Sequence, residues 1–373
     1  MKRFFILLFI IGTLTTNAQS HNKLSNEFDA FLQKEFSSNE PGGTVLIKKG
    51  DDTIFLKSYG LANMKTREKN TENTIYNTGS ISKTFVANGI LILSERNLLS
   101  LDDTLFDHFP DFKNQEIAQQ VTIKNLLSHT SGIPDLRPVR AQPDFYLTAK
   151  DTANFEPIKA VQTLNFEPGE KFQYSNPCYN GLALIIEKVS GQPWQEFIIK
   201  NIFAPSGMEH STITNGPHPA NGVAHAYVKN RNVYEESDYG EVPTFAAAGN
   251  GGVWSTVNDL AKYEKAHKNE IFLNKKSIKN SRTAYRPSNW KSDILPFVGY
   301  GWMMGERMLL RSEDYPNVYI VHHTGSQGGF RAFHISIPDQ DIVFIGLFNR
   351  PVQSFRPLMK TGFDLLKEHG YLK

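Results

Sequence analysis

The sequence has a single cysteine, Cys178, so no disulfide can close within the chain and the fold must be held by its core. For Cys178 itself, a small buried hydrophobe at the start of an apolar helix is preferred to a reactive thiol. Net charge is almost absent: 40 Lys and Arg stand against 38 Asp and Glu, leaving +2 over 373 residues. Such a chain has no global field to gather nucleic acid or anionic lipid. Beyond the N-terminus no apolar run approaches the roughly 20 residues that a bilayer-crossing helix needs. None of the 11 histidines lies in H-E-x-x-H or another tight ligand spacing, so no metal is expected. G-x-S-x-G is missing, which argues against a strained strand-to-helix nucleophile elbow. "GNGG", residues 249–252, lacks the third glycine of a dinucleotide fingerprint, and no cofactor is expected.

The N-terminus is a segment of another kind. "MKRFFILLFIIGTLTTNAQS" starts with Lys2 and Arg3, continues with an apolar stretch from Phe4 to about Leu14, and ends in small and polar residues. This is the pattern of an export signal, removed after about Ala18 or Gln19; an uncleaved anchor is the rival reading. Residues 1–19 are therefore set aside as a signal peptide, and a periplasmic or secreted location is expected for the rest.

The 40% hydrophobic content of the 373 residues is that of an ordinary globular protein. Residues 24–36 read as an amphipathic helix, and "GGTVLIKKGDDTIFLKSYG" as a hairpin turning at Lys49 to Asp52. From Ser80 the pattern is helical for about sixteen residues, with Ile81, Phe85, Ile90 and Leu93 on one stripe and Lys83 off it. Between about 100 and 245 strand signals vanish. Short helices such as "VTIKNLLSHTSGIPD", capped by Thr122, and "CYNGLALIIEKVSG" alternate with long polar loops, among them "PHPANGVAHAYVKNRNVYEESDYGEVP". "STVND" places Thr256 and Asp259 as a capping box. "VYIVHHTG", "FRAFHISIP" and "DIVFIGLFN" restore strands, with "PDQD" as a tight turn, and a helix over about 354–369 closes the chain. Strands at both ends of a helical middle imply an α+β fold: an antiparallel sheet flanked by helices, with an inserted, mostly helical part. One discontinuous unit is expected, its α/β part over about 20–79 and 246–373 and its helical part over about 80–245.

The chemistry centres on "NTGSISKTF", residues 77–85. A serine hydroxyl needs a base within hydrogen-bond reach, and residues i and i+3 of a helix share a face, so Ser80 and Lys83 point into one space. A lysine serves as that base only if burial or a neighbouring cation lowers its pKa. The tetrapeptide alone says little: 25 Ser and 27 Lys give about two S-x-x-K matches by chance, and three occur, at Ser20, Ser80 and Ser288. Only Ser80 opens a long apolar-striped helix. "YSN", Tyr174 to Asn176, precedes the helix of Leu182 to Val189 and offers a phenol and an amide. "YPN", Tyr315 to Asn317, has the same spacing, so this element too is nonspecific alone. "HHTGSQGGF" ends a strand in small residues, where another backbone can approach and the Ser326 N–H can donate to an oxyanion.

The order S-x-x-K, Y-x-N, H-T-G, with the second box 94 residues after the first and the third 149 after the second, resembles the serine β-lactamase and penicillin-binding protein superfamily. More narrowly it resembles the class C β-lactamase-related group of esterases, D-amino-acid peptidases and DD-peptidases. "LSLDDTLFDHFPDF", "FEPGEKFQYSNPCYNGLALIIEKVSG" and "AAGNGGVWSTVNDLAKY" carry the likeness across nearly all of residues 20–373. The resemblance implies an acylated Ser80, with Lys83 and Tyr174 sharing the serine proton. It also implies an oxyanion hole from the N–H groups of Ser80 and Ser326. Asn176 would bind the substrate amide, beside the third box of His323, Thr324 and Gly325. One departure stands out: His323 occupies the place of a lysine that attracts a carboxylate. A histidine near its ordinary pKa of about 6.5 is mostly neutral, which favours esters, amides and D-peptides over β-lactams. Arg331, in the next strand, is a candidate replacement cation, although alternation equally allows it to face solvent. A small-molecule or short-peptide substrate is expected, without nucleic acid. A true β-lactamase or DD-carboxypeptidase, and a catalytically dead binder of peptidoglycan fragments, are the alternatives.

Overall fold

The computed structural model describes residues 23–373 apart from 140, 143–144, 214–221, 238–245 and 312. The export signal expected over residues 1–19 lies outside the described residues. No helix among the described residues is long and apolar enough to cross a membrane.

A six-stranded antiparallel sheet dominates. Its strands are β1 (Gly43–Lys49), β2 (Asp52–Tyr59), β3 (Met303–Met304), β4 (Val321–Gln327), β5 (Phe330–Ile337) and β6 (Ile342–Phe348), in the order β3-β4-β5-β6-β1-β2. Two chain ends thus meet at the centre, where Gly43 pairs with Phe348 and Lys49 with Ile342. The hairpins β1–β2, β4–β5 and β5–β6 each turn through a left-handed residue, Gly50 at φ 58°, Gly328 at φ 50° and Asp341 at φ 55°.

The inner strands β5 and β6 are buried on both faces along most of their length, and β6 accordingly reads as a continuous apolar run, whereas the edge strand β2 starts exposed at Asp52 and Thr53. Val45, Ile47, Phe333, Ile335 and Phe344 face one core, with α1 (residues 23–35) and α6 (Arg356–Glu368) over them. In α1 the residues Leu24, Phe28 and Leu32 recur every fourth position, all fully buried, which matches the helical period. Each such side chain contributes about 1.5–3 kcal/mol by leaving water. Leu46, Ala332, Ile345 and Leu347 alternate to the opposite face and join the larger core beneath α2 (Ser82–Glu95), α4 (Asn176–Ser190) and α5 (Val257–Lys268).

Helix α2 is the axis of the helical part. Every residue from Ser82 to Leu93 is buried, so the expectation that Lys83 lies off the buried stripe is corrected: the helix is enclosed on all sides. A short helix, α3 (Asp151–Phe155), packs on α4, which is capped by Ser175 and ended by Gly191 at φ 71°. Gly181 of α4 lets the Phe155 ring approach to where a β-carbon would stand 2.5 Å from it. Thr122 caps Ile123–Leu127 in a reciprocal box with Asn125.

Two expectations need correction. The interval before residue 245 does hold strands, Thr212–Ile213 and the hairpin Tyr227–Asn230 with Val233–Glu236. Its turn is Arg231 and Asn232, both at positive φ, a two-residue connection that the polar composition concealed. At the start of α5, Thr256 accepts from the Asp259 N–H at 3.1 Å, but the Asp259 carboxylate turns to His210 N and Ser211 Oγ instead of closing a capping box.

The end of the central strand is pinned by Asn349, which is fully buried. Its Oδ1 accepts from Gly42 N at 2.8 Å and its Nδ2 donates to the carbonyls of Leu61, Ala62 and His225. Replacing Asn349 with Ala leaves several buried backbone groups without partners. Loss of about 3 kcal/mol or more of unfolding free energy is expected in denaturant titration; an unchanged midpoint would show that these bonds are dispensable.

Candidate active site

Ser80 sits in a single 3-10 turn, Gly79–Ile81, that runs straight into α2. The turn is entered through Gly79 at φ 53°, where a β-carbon would lie 2.6 Å from the Ser326 nitrogen. The facing strand β4 answers with Gly325, whose β-carbon would lie 2.0 Å from the Thr78 carbonyl oxygen and 3.3 Å from the Ser80 nitrogen. Two residues without side chains therefore let β4 close on the turn backbone against backbone. The backbones of Ser80 and Ser326 are thereby brought to adjoining positions.

Lys83 lies in the first turn of α2 and is wholly buried. Its Nζ donates to Ser80 Oγ at 3.1 Å and to the Asn250 carbonyl at 2.6 Å. The rings of Tyr174 and Tyr179 stand 5.2 and 5.8 Å from it. No carboxylate among the described residues touches it. Burial, reinforced by the charge of Arg137, drives the lysine pKa well below its ordinary 10.5. Arg137 is itself buried, forked onto Asp135 with Nη1 on Asn154 Oδ1 at 2.7 Å. The positive end of α2 acts in the same sense as burial. The two rings favour the ammonium and oppose this, but they are the weaker influence.

Tyr174 is carried on the turn that caps α4. Ser175 Oγ accepts from Cys178 N, and Ser175 N donates to His129 Nδ1 at 3.1 Å. Gln173 N donates to the His129 carbonyl at 2.9 Å, so His129 grips this turn from both sides. The His129 ring lies 4.4 Å from the Tyr174 ring and 5.1 Å from that of Tyr179. Burial, with Lys83 and His323 nearby, keeps its imidazole neutral. His129 escaped notice in the sequence; its mark is a non-glycine residue at φ 57° between a short helix and "TSG". Asn176 opens α4, and its Oδ1 is buried without a protein partner, so it is available to a ligand amide.

On β4, His323 is buried and its ring centroid lies 6.5 Å from that of Tyr174. A carbonyl only accepts, so the 2.7 Å contact to Thr324 O puts the proton on Nδ1. Burial and the nearby Lys83 push its pKa down to about 3, so the imidazole is neutral throughout the physiological range. Thr324 is half-buried and Ser326 exposed. Arg331 lies opposite Ser326 in the β4–β5 register, and its Nη1 donates to the carbonyls of Gly328 and Phe330. Its guanidinium is thus tied to its own hairpin. Cys178 is buried, and burial raises its thiol pKa, as a core residue requires.

Two other features lie apart from this site. Glu27, Glu368 and His369 bring potential metal-ligand atoms within 4.8 Å of one another on α1 and the end of α6. A cleft of about 1240 Å³ is lined by Lys48, Glu264, Arg282 and Ser336, and by none of the residues around Ser80. The chemistry is concentrated where the serine, lysine and tyrosine meet.

Comparison with known proteins agrees with the geometry. Penicillin-binding protein 4* of Bacillus subtilis (strain 168) is 30% identical over 323 residues, which cover 83% of this chain and 68% of that protein. The octameric penicillin-binding protein homologue from Pyrococcus abyssi superposes with a TM-score of 0.76 at 29% identity, over 94% of this chain and 77% of that one. D-amino acid amidase from Ochrobactrum anthropi SV3 shares the fold at 20% identity, with a TM-score of 0.75 over 93% and 99% of the two chains. The model of the beta-lactamase family matches residues 25–365, and the chain belongs to that family.

Proposed function

We propose that the protein is an exported serine hydrolase that works through an acyl-enzyme on Ser80, with an ester, an amide or a D-amino-acid peptide as substrate. The observation that carries this reading is the 3.1 Å contact between Lys83 Nζ and Ser80 Oγ in a buried setting where no carboxylate among the described residues touches the amine. The export signal in the first 19 residues supports the location.

In this reading Ser80 Oγ attacks the substrate carbonyl while its proton passes to the Lys83 and Tyr174 pair. The tetrahedral oxyanion is met by the N–H groups of Ser80 and Ser326. As the bond from carbonyl carbon to leaving oxygen or nitrogen breaks, the proton is returned to the leaving group. Water then enters, gives a proton to the same pair and attacks the acyl carbon; as the bond to Ser80 Oγ breaks, the pair returns that proton to Oγ and the acid leaves. Asn176, with its unpartnered Oδ1, accepts from the substrate amide. His323 decides the substrate class: a neutral ring stands where a lysine would supply a cation, and Arg331 is engaged with its own turn. A substrate whose recognised end is uncharged fits this cleft better than one ending in carboxylate.

Two outcomes check the reading. Replacing Ser80 with Ala should abolish covalent labelling by a fluorophosphonate, read by intact mass and peptide mapping, while stability changes by about 1 kcal/mol or less; a label of equal extent elsewhere would move the nucleophile. His323→Lys should raise kcat/KM for carboxylate-bearing over neutral substrates by roughly tenfold. No change in that ratio would mean that the carboxylate does not reach β4.

A further inference from the structure

The carboxylate of Asp151 lies behind the site, buried and unused in the steps above. Asp151 is the first residue of α3. Its Oδ1 accepts from Asn180 Nδ2 at 2.7 Å and from Gly249 N at 2.8 Å, and its Oδ2 accepts from Trp194 Nε1 at 2.8 Å. All three partners are donors, so the cradle is built for the ionised acid, and no salt bridge to it is formed among the described residues.

Two of those donors lead to the lysine. Gly249 is the residue before Asn250, whose carbonyl receives Lys83 Nζ. Asn180 Nδ2 also donates to Asn250 Oδ1 at 3.2 Å. The loop between them has no slack: at Gly249 a β-carbon would stand 2.7 Å from Ala183 Cβ and 2.9 Å from Tyr179 O. We propose that Asp151 is a positioning residue that holds the 249–250 backbone so that the Asn250 carbonyl fixes the Lys83 amine on Ser80. The proposal rests on the acyl-enzyme reading of Ser80 and Lys83. It assigns Asp151 no contact with substrate.

Burial raises the pKa of this carboxyl from 3.8 to about 7, against the lowering effect of its three donors. Glu187 of α4 pushes in the same direction as burial, while residues 246–252 bring no charged group. On its own element Lys150 precedes it, and the Arg137–Asp135 pair faces Asn154 of α3. From the segment after α4, Trp194 supplies its indole, and its backbone N–H donates to Glu187 Oε1. The ionised, holding form is therefore the form present above about pH 7, and protonation below that releases the loop. The sign for stability is opposite: since the folded pKa is raised above the unfolded value, this group stabilises most below about pH 4 and that contribution is lost as pH rises to about 7.

The test compares wild type, Asp151→Asn and Trp194→Phe in two assays across pH 5 to 9, with thermal melting as the control for folding. One is the rate of fluorophosphonate labelling at Ser80, in which the Oγ–P bond forms, fluoride leaves and the serine proton goes to the Lys83 and Tyr174 pair. The other is steady-state hydrolysis of a neutral chromogenic ester. Asn at 151 puts an amide N–H against the Trp194 indole N–H and does not titrate. It should lower kcat and labelling on the order of 10- to 100-fold with KM little changed, and lose the acid limb of the profile. Phe at 194 removes one donor to the carboxylate and should move the acid limb to higher pH, which a merely structural tryptophan would not do. If Asp151→Asn fails to fold, the shift in Trp194→Phe decides. A wild type that labels on Ser80 while the Trp194→Phe limb stays in place overturns the positioning role alone. A wild type that never labels on Ser80 overturns the acyl-enzyme reading and this proposal with it.

Discussion

A buried ammonium without a carboxylate is the constraint around which the site is built. Lys83 cannot leave α2, and the helix that carries it is enclosed along its length. Taking its charge out of water is expensive, and among the described residues its hydrogen-bond acceptors are the Ser80 hydroxyl and the Asn250 carbonyl. The lysine resolves the cost by giving up its proton more readily. Burial thereby leaves Lys83 Nζ as a neutral amine, able to accept a proton, beside Ser80 Oγ.

The fold serves that conversion in three places. The Gly79 and Gly325 pair lets strand β4 press on the serine turn, so that the Ser80 hydroxyl and the Ser80 and Ser326 backbones belong to one rigid contact. The capped start of α4 delivers Tyr174, with His129 locking the turn. The small-residue stretch Ala246–Gly252 brings a carbonyl to Lys83 where side chains would not fit. Each element is rigid where it meets Ser80, and each reaches the site from a different part of the sequence.

Much of this was legible. The hairpin at Gly50 and the turn at Asp341 were marked by turn residues, and the antiparallel sheet followed from strands at both ends. Ser80 and Lys83 were legible because helical spacing is a local property. What escaped is what tertiary packing decides. Lys83 looked like a residue off the apolar stripe, but Tyr174, Tyr179 and the Asn250 carbonyl, all distant in sequence, close over it. His129 and Asp151 act through backbone contacts to residues 46 and 98 positions away, which no local pattern records. The hairpin at Tyr227–Glu236 was hidden by its charged, half-exposed alternation.

The central claim is that Lys83 is poised to accept the serine proton. Its most direct measurement is the titration of Lys83 itself: NMR of the protein with isotopically labelled lysine side chains, its signal assigned by comparison with Lys83→Arg, followed across pH. The account predicts one lysine with a midpoint well below the ordinary 10.5, its signal lost in Lys83→Arg. A Lys83 signal that titrates with the surface lysines near 10.5 would contradict it.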